Sequence, residues 1–126
     1  MKKILISINP QYVARILDGS KKYEFRTKAA KQDINKLIIY STFPTKKVVA
    51  EVEIIEVLEM TPEDLWEETK TYSGIELDAY TKYFENRKVA YAYKLGKIRR
   101  FAEPRDLEYY GISFAPQSFV YINEGI

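Results

Sequence analysis

Apolar positions along the chain fall into short strand-like blocks, interrupted by three stretches at helical spacing. Lys3 to Ile8 is a compact apolar run with polar flanks and predicts a strand. Asn9-Pro10 then starts a helix, with Asn as cap and Pro at the first helical position. Tyr12, Val13, Ile16 and Leu17 recur at helical spacing, and Gly19 ends the segment. Lys21 to Thr27 alternates, with Tyr23 and Phe25 on one face and Lys22, Glu24 and Arg26 on the other. After a polar stretch from Lys28 to Asn35, strands are predicted over Lys36 to Thr42 and Val48 to Leu58, with a turn over Thr42 to Thr45 between them. Thr61-Pro62-Glu63-Asp64 opens a second helix, with an acid where a capping box wants one, and Gly74 breaks it. A third helix is predicted from Glu76 to Asn86, with Leu77, Tyr80, Tyr83 and Phe84 on one side. Val89 to Leu95 alternates as a strand, which Gly96 is expected to turn into another from Lys97 to Ala102. Pro104 to Ile112 reads as irregular or a short helical turn, and Phe119 to Asn123 as a closing strand.

Six or seven strands and three helices make an α+β chain. Residues 1–126 suffice for one domain and one core. Most neighbouring strands are close enough in sequence to pair antiparallel. The expected closure is a small barrel of mixed strands with helices outside it or at one end; a half-buried open sheet is the alternative.

Composition narrows the chemistry. The chain is 46% hydrophobic and 30% charged, a globular profile. No apolar run approaches the ~20 residues of a membrane span, and the Ile4 to Ile8 run lacks the features of a signal peptide, so the expectation is a cytoplasmic protein. With no Cys and no His there is no thiolate, no disulfide, no imidazole base and no structural zinc site. No cofactor and no metal are expected, and catalysis, if any, falls to Lys, Glu/Asp, Tyr, Ser or Thr. The net charge of +2 is too weak to imply a nucleic-acid partner by itself. Its distribution is uneven: residues 1–50 hold 11 Lys/Arg against 3 Asp/Glu, residues 51–86 hold 2 against 11, and residues 87–126 hold 7 against 4. Either a basic and an acidic face exist, or the acidic middle folds over the basic ends and cancels them.

The most informative stretch is Gly19-Ser20-Lys21-Lys22-Tyr23-Glu24-Phe25-Arg26. Gly19 serves as a left-handed helix stop and forces a corner, so Lys21 leaves a turn and need not follow strand alternation. Glu24 and Arg26 share a face. As a solvated ion pair they would be worth ~0–1 kcal/mol. As the floor of a polar cleft they offer more: Arg26 is a planar donor fork, Glu24 an acceptor for a base amino group or a proton shuttle. Lys21 is a charge or, when desolvated, a base or nucleophile. Lys21 and Glu24 are the catalytic candidates if the chain is an enzyme. Tyr12 and the turn-tip Phe43 are candidate stacking rings, while Trp66, Tyr80, Tyr83 and Phe84 read as packing. Ser7, Ser41, Thr42, Gln117 and Ser118 sit at strand ends, where they either cap turns or bond a base edge. Lys2, Lys3, Arg15, Lys22, Lys28 and Lys31 could track phosphates around the cleft. Glu63, Asp64, Glu67 and Glu68 suit helix starts and solubility, or alternatively a protein contact.

The pattern G-x-K-x-x-E-x-R resembles the signature of the ASCH domains, members of the PUA-like superfamily. The flanking order agrees with that family: the Ile4-to-Ile8 strand, the Asn9-Pro10 helix start, Tyr40-Ser41-Thr42 with Pro44, Val49-Ala50-Glu51-Val52, Pro62-to-Trp66 and Pro116-Gln117-Ser118-Phe119. The resemblance implies a PUA-like β-barrel with a cleft beside the first helix, lined or supported by Gly19, Lys21, Glu24 and Arg26. It also implies binding of RNA or a modified nucleobase and a role in RNA metabolism or in translation or transcription regulation. Some family members act on RNA or nucleosides. The branch that hydrolyses N4-acetylcytidine uses a Lys, a Thr at the motif's acidic position and a separate Glu. Lys21 matches that set, but Glu24 stands where the Thr would be; Glu51 and Glu53 are the candidates for the separate Glu. A ribonuclease activity would have no His to assist it.

Overall fold

The computed structural model describes residues 2–31 and 33–122. Its elements are β1 (Lys3–Ile8), α1 (Pro10–Leu17), β2 (Tyr23–Arg26), β3 (Lys36–Ser41), β4 (Lys47–Met60), α2 (Pro62–Thr69), α3 (Leu77–Tyr83), β5 (Ala90–Arg105) and β6 (Phe119–Ile122). Short 3₁₀ turns span Lys70–Tyr72 and Leu107–Tyr110. The strands form one six-stranded mixed sheet in the order β2-β5-β4-β3-β1-β6. β1 and β3 pair parallel, because α1 and β2 lie in the connection between them; the other pairs are antiparallel.

β1 is apolar throughout because both of its faces are covered. Ile4, Ile6 and Ile8 meet Val13 and Ile16 of α1 together with Leu37, Ile39 and Val52. Leu5 faces the other way, onto Ile38, Tyr40, Val48 and Phe101, under Leu107, Tyr110 and Ile112. A continuous apolar strand of this kind is the mark of a sheet sandwiched between layers. The third core packs Leu65 of α2 and Tyr80 and Phe84, on and just after α3, against Phe25, Ala90 and Ala92. Tyr80 sits edge-on to Phe25 at 5.1 Å. Thr61 accepts a hydrogen bond from the Asp64 backbone N–H at 3.2 Å, as the capping pattern predicts. Asn9 has the extended backbone of a cap but makes no side-chain cap bond.

One expectation requires correction. Gly96 does not turn the chain: β5 runs unbroken through it for 16 residues. Pairing shifts by one residue on β5 between Val52 and Ile54, and by one on β4 between Ile54 and Glu56, so Gly96 lies within the first bulge and the second restores the register. A Cβ at Gly96 would lie 3.0 Å from Ile55 Cγ1, so the glycine admits a close cross-strand approach rather than a reversal. The expected small barrel of mixed strands with three flanking helices is what forms: a six-strand half-barrel, with no backbone ladder joining its β2 and β6 edges among the described residues. Arg26, the last residue of β2, spans part of that gap: its Nη2 donates to the Ser7 carbonyl at 2.8 Å and its Nη1 to Ser118 Oγ at 3.3 Å.

Candidate functional site

The motif's geometry begins at Gly19. Its φ of +87° is the left-handed conformation, and a Cβ there would meet nothing, so the glycine is required by backbone and not by space. Asp18 accepts from the Ser20 N–H at 2.8 Å, and the Lys21 N–H donates back to the Arg15 carbonyl at 3.0 Å. These bonds fold the chain against the last turn of α1 and send the Lys21 side chain inward. What receives it lies some fifty residues away in sequence. Gly74, at φ +66°, leaves the space that the Lys21 stem fills; a Cβ at Gly74 would fall 2.3 Å from Lys21 Cβ. Lys21 Nζ donates to the Ser73 carbonyl at 2.8 Å. The Lys22 N–H donates to the Tyr72 carbonyl, and Arg15 Nη1 donates to the Gly74 carbonyl, each at 2.8 Å. The segment after α2 is therefore the back wall of the motif.

Lys21 is only 3% exposed. Its ammonium lies 4.8 Å from the Phe25 ring centre and 5.4 Å from that of Tyr12. No carboxylate comes within ion-pair distance of it among the described residues. Burial lowers its pKa from 10.5 to about 8; the Glu24 charge opposes that shift, and Arg15 and Arg26 add to it. Glu24 is also buried, and a single oxygen, Oε2, takes both Arg26 donors, Nε at 3.1 Å and Nη2 at 2.7 Å. Oε1 makes no hydrogen bond among the described residues. The pair is thus not the solvated surface bridge that alternation alone allowed.

These groups open into a cleft of about 200 Å³, lined by Ser7, Ile8, Asn9, Tyr12, Lys21, Glu24, Phe25, Arg26, Ile75 and Tyr83. That is below the ~300–1,000 Å³ of sites for drug-sized ligands and suits one flat ring with a few polar edges. Of the residues singled out from sequence, Ser7, Tyr12, Lys21, Glu24 and Arg26 converge here, and Ser118 reaches the cleft through Arg26. Ser41, Thr42, Phe43 and Gln117 do not line it. Ser41 is buried on the far side of α1, beside Val13 and Ala14. Thr42 uses its N–H to hold the Ile8 carbonyl at 3.0 Å. Phe43 is 75% exposed on its turn. Gln117 is exposed. Tyr83, read from its spacing as a packing residue, is a cleft wall instead and is half-exposed. Gly74 and Ile75 were missed; Gly74 carried only the signal of a helix break.

Part of the basic segment is neutralised. Glu51 pairs with Lys3 at 3.0 Å and Lys36 at 3.4 Å, which hold its carboxyl below the usual range against the upward pull of burial. Arg15 reaches Glu76 at 3.2 Å. No cluster of His, Cys, Asp and Glu among the described residues could hold a metal, and no helix among them is long and apolar enough to cross a membrane.

A mixed half-barrel with a polar cleft beside its first helix is a PUA-like architecture. The ASCH domain family model matches residues 6–99, and the chain belongs to that family. Among solved structures, the ASCH protein of Zymomonas mobilis superimposes with a TM-score of 0.88 at 24% identity, over 97% of this chain and 88% of that one. A tyrosine-to-phenylalanine variant of that protein gives 0.87 at 23% identity, over 98% and 92%. These likenesses establish the fold. Two proteins of Ureaplasma parvum contain a similar segment: one named large ribosomal subunit protein uL22 (30% identical over 122 residues) and one named ATP synthase subunit alpha (27% over 120). This chain is matched over 94% of its length in each case but spans 39% of the first and 15% of the second.

Proposed function

We propose that this chain binds RNA by taking one unstacked nucleobase, standard or modified, into the cleft between α1 and β2. The observation that carries this reading is the pairing of a desolvated donor with an unused acceptor. Lys21 commits one donor to Ser73 and keeps others for a carbonyl or ring-nitrogen acceptor. Glu24 Oε1 accepts from an exocyclic amino group. Tyr12 and Tyr83 supply ring walls, and base–aromatic stacking is worth ~1–3 kcal/mol per base. The family's association with RNA and the small cleft volume support the same ligand class. Arg26 acts here through Glu24 and Ser7, as a positioning residue. The direct test is binding of nucleosides and single-stranded oligonucleotides to wild type, Lys21→Met and Tyr12→Ala. Both variants should lose at least ~1 kcal/mol of affinity, about fivefold, while their thermal melts remain cooperative. Equal affinity of all three proteins for every nucleoside would defeat the proposal.

One observation favours a second reading, a hydrolase acting on an acylated nucleoside. With its pKa brought to about 8, Lys21 holds a neutral fraction at near-neutral pH and can take a proton from water. Glu24, within electrostatic reach, would relay that proton from the Lys21 ammonium to the departing amine, while the water oxygen leaves in the released carboxylate. A panel of acylated nucleosides assayed with wild type and Lys21→Ala tests it. Background rates from both proteins would remove it.

A further inference from the structure

β2 pairs only with Tyr91–Lys94 of β5, so the far half of β5 has a free edge among the described residues. That half carries Arg99, Arg100 and Arg105. None of the three forms an ion pair with a carboxylate among the described residues, although other exposed cations of the chain do. Arg105 is held between two rings: its guanidinium carbon lies 3.9 Å from the Phe101 centroid and 4.4 Å from that of Tyr109, and Nη1 donates to Tyr110 Oη at 3.0 Å. Arg99 lies over the same Phe101 at 5.5 Å. Tyr109 is 67% exposed. Pairing with β4 is irregular between Arg100 and Arg105, and Arg99, Arg100, Arg105 and Tyr109 border one shallow concavity together with Phe101 and Glu103. Arg100, with Phe101 and Pro104, also walls a groove whose other side is Pro10, Val13 and Leu17 of α1. Tyr12 of the same helix lines the nucleobase cleft, so a single helix separates the two.

We infer that the Arg99–Arg100–Arg105–Tyr109 surface is a second contact for single-stranded RNA, engaging phosphates and one stacked base of the strand whose neighbouring nucleotide enters the cleft. The ligand class rests on the RNA reading of the cleft; the residues do not. Unpaired arginines match a phosphate backbone in charge. The exposed Tyr109 ring beside them serves a base and would be superfluous to an acidic peptide. Arg105, fixed between rings, is pre-organised, whereas Arg99 and Arg100 are exposed and free to track the strand.

The test compares fluorescently labelled oligouridylates of about three and about twelve nucleotides, a length range set by ordinary single-strand site sizes. Wild type, the double variant Arg99→Ser/Arg100→Ser, Tyr109→Ala and Lys21→Met are titrated across a salt series. The double variant should bind the long oligomer about tenfold or more weakly at low salt. Its log–log salt slope should fall by about 1.4, about 0.7 for each phosphate no longer neutralised, while the short oligomer is bound as before. Tyr109→Ala should lose about fivefold or more on the long oligomer, with its slope unchanged. An unchanged affinity and slope in the double variant overturns the inference. Polyglutamate binding as tightly as the long oligomer, with the same loss in the double variant, also overturns it, assigning the surface to an acidic protein. The cleft reading fails separately, by unchanged short-oligomer binding in Lys21→Met.

Discussion

Burial of Lys21 makes stability depend on pH in a way no surface lysine would. The native chain gives up the Lys21 proton near pH 8, whereas the unfolded chain holds it until about 10.5. Between those values the unfolded state binds the extra proton, so unfolding becomes harder as pH rises. Below pH 8 the ammonium is charged in both states, and the whole cost of burying it is present. At about 1.36 kcal/mol per pKa unit, the window amounts to roughly 3 kcal/mol. Only 3% of the residue is exposed, so solvent screening takes little from that figure. Lys21→Met keeps the stem and removes the titration. The measurement is urea unfolding of both proteins at intervals from pH 7 to 11, plotted as wild type minus variant. Groups other than Lys21 are common to both proteins and largely cancel in the difference. The difference should climb by roughly 3 kcal/mol, starting near pH 8 and levelling above 10.5. A flat difference would show that Lys21 is solvated in the native state, and the desolvated-donor account of the cleft would fall with it. A ligand presenting an acceptor to Lys21 should also raise its pKa, so binding near pH 8 should take up protons, measurable as a buffer-dependent binding heat.

Two further outcomes follow from the same geometry. Arg26→Ala should destabilise the fold by about 3–5 kcal/mol, because it leaves the buried Glu24 carboxylate without its partner; adding Glu24→Gln should recover part of the loss, and equal unfolding midpoints for single and double variants would refute the buried Arg26–Glu24 pairing. Gly74→Ala should cost about 2–4 kcal/mol from its positive φ and its overlap with the Lys21 stem, and should weaken nucleoside binding as well; a variant with wild-type stability and affinity would mean the two segments are not in contact.

Features legible in the sequence were those carried by local signals. The Asn9-Pro10 start, the Tyr12/Val13/Ile16/Leu17 stripe and the Gly19 stop all lie within one turn of what they control, and α1 forms where they place it. The same holds for the shared face of Glu24 and Arg26. Partners far along the chain were not legible. Gly74 breaks a helix in any local reading; its second role depends on Lys21 lying against it, which only the fold reveals. Gly96 looked like a turn because glycine punctuates loops more often than it sits in strands. Its place in a continuous strand depends on two compensating bulges and on Ile55 across the ladder, a tertiary override of a local rule. Tyr83 shares a helical stripe with Tyr80 and Phe84, yet it lines the cleft while they pack on Phe25 in the core, a division that spacing alone does not show.

The four signature positions therefore do four different jobs, and their spacing follows from those jobs. Gly19 must be left-handed so that the chain reverses before the strand begins. Lys21 must precede the strand, because only a turn residue can swing inward to the Ser73 carbonyl while Glu24 and Arg26 keep the alternation of β2. Glu24 and Arg26 must stand two apart to share a face, so that Arg26 can bind one carboxylate oxygen and still reach the Ser7 carbonyl across the open edge of the half-barrel. That geometry commits Arg26 to the protein and frees one oxygen of Glu24 for something else. A hydroxyl at position 24 would leave Arg26 with no carboxylate and the cleft with no anionic acceptor. The fixed charge at Glu24 favours a ligand edge that presents a donor to Oε1 beside an acceptor for Lys21. Nucleobase edges that carry an amino group next to a ring nitrogen or carbonyl have that arrangement, and edges built from acceptors alone do not.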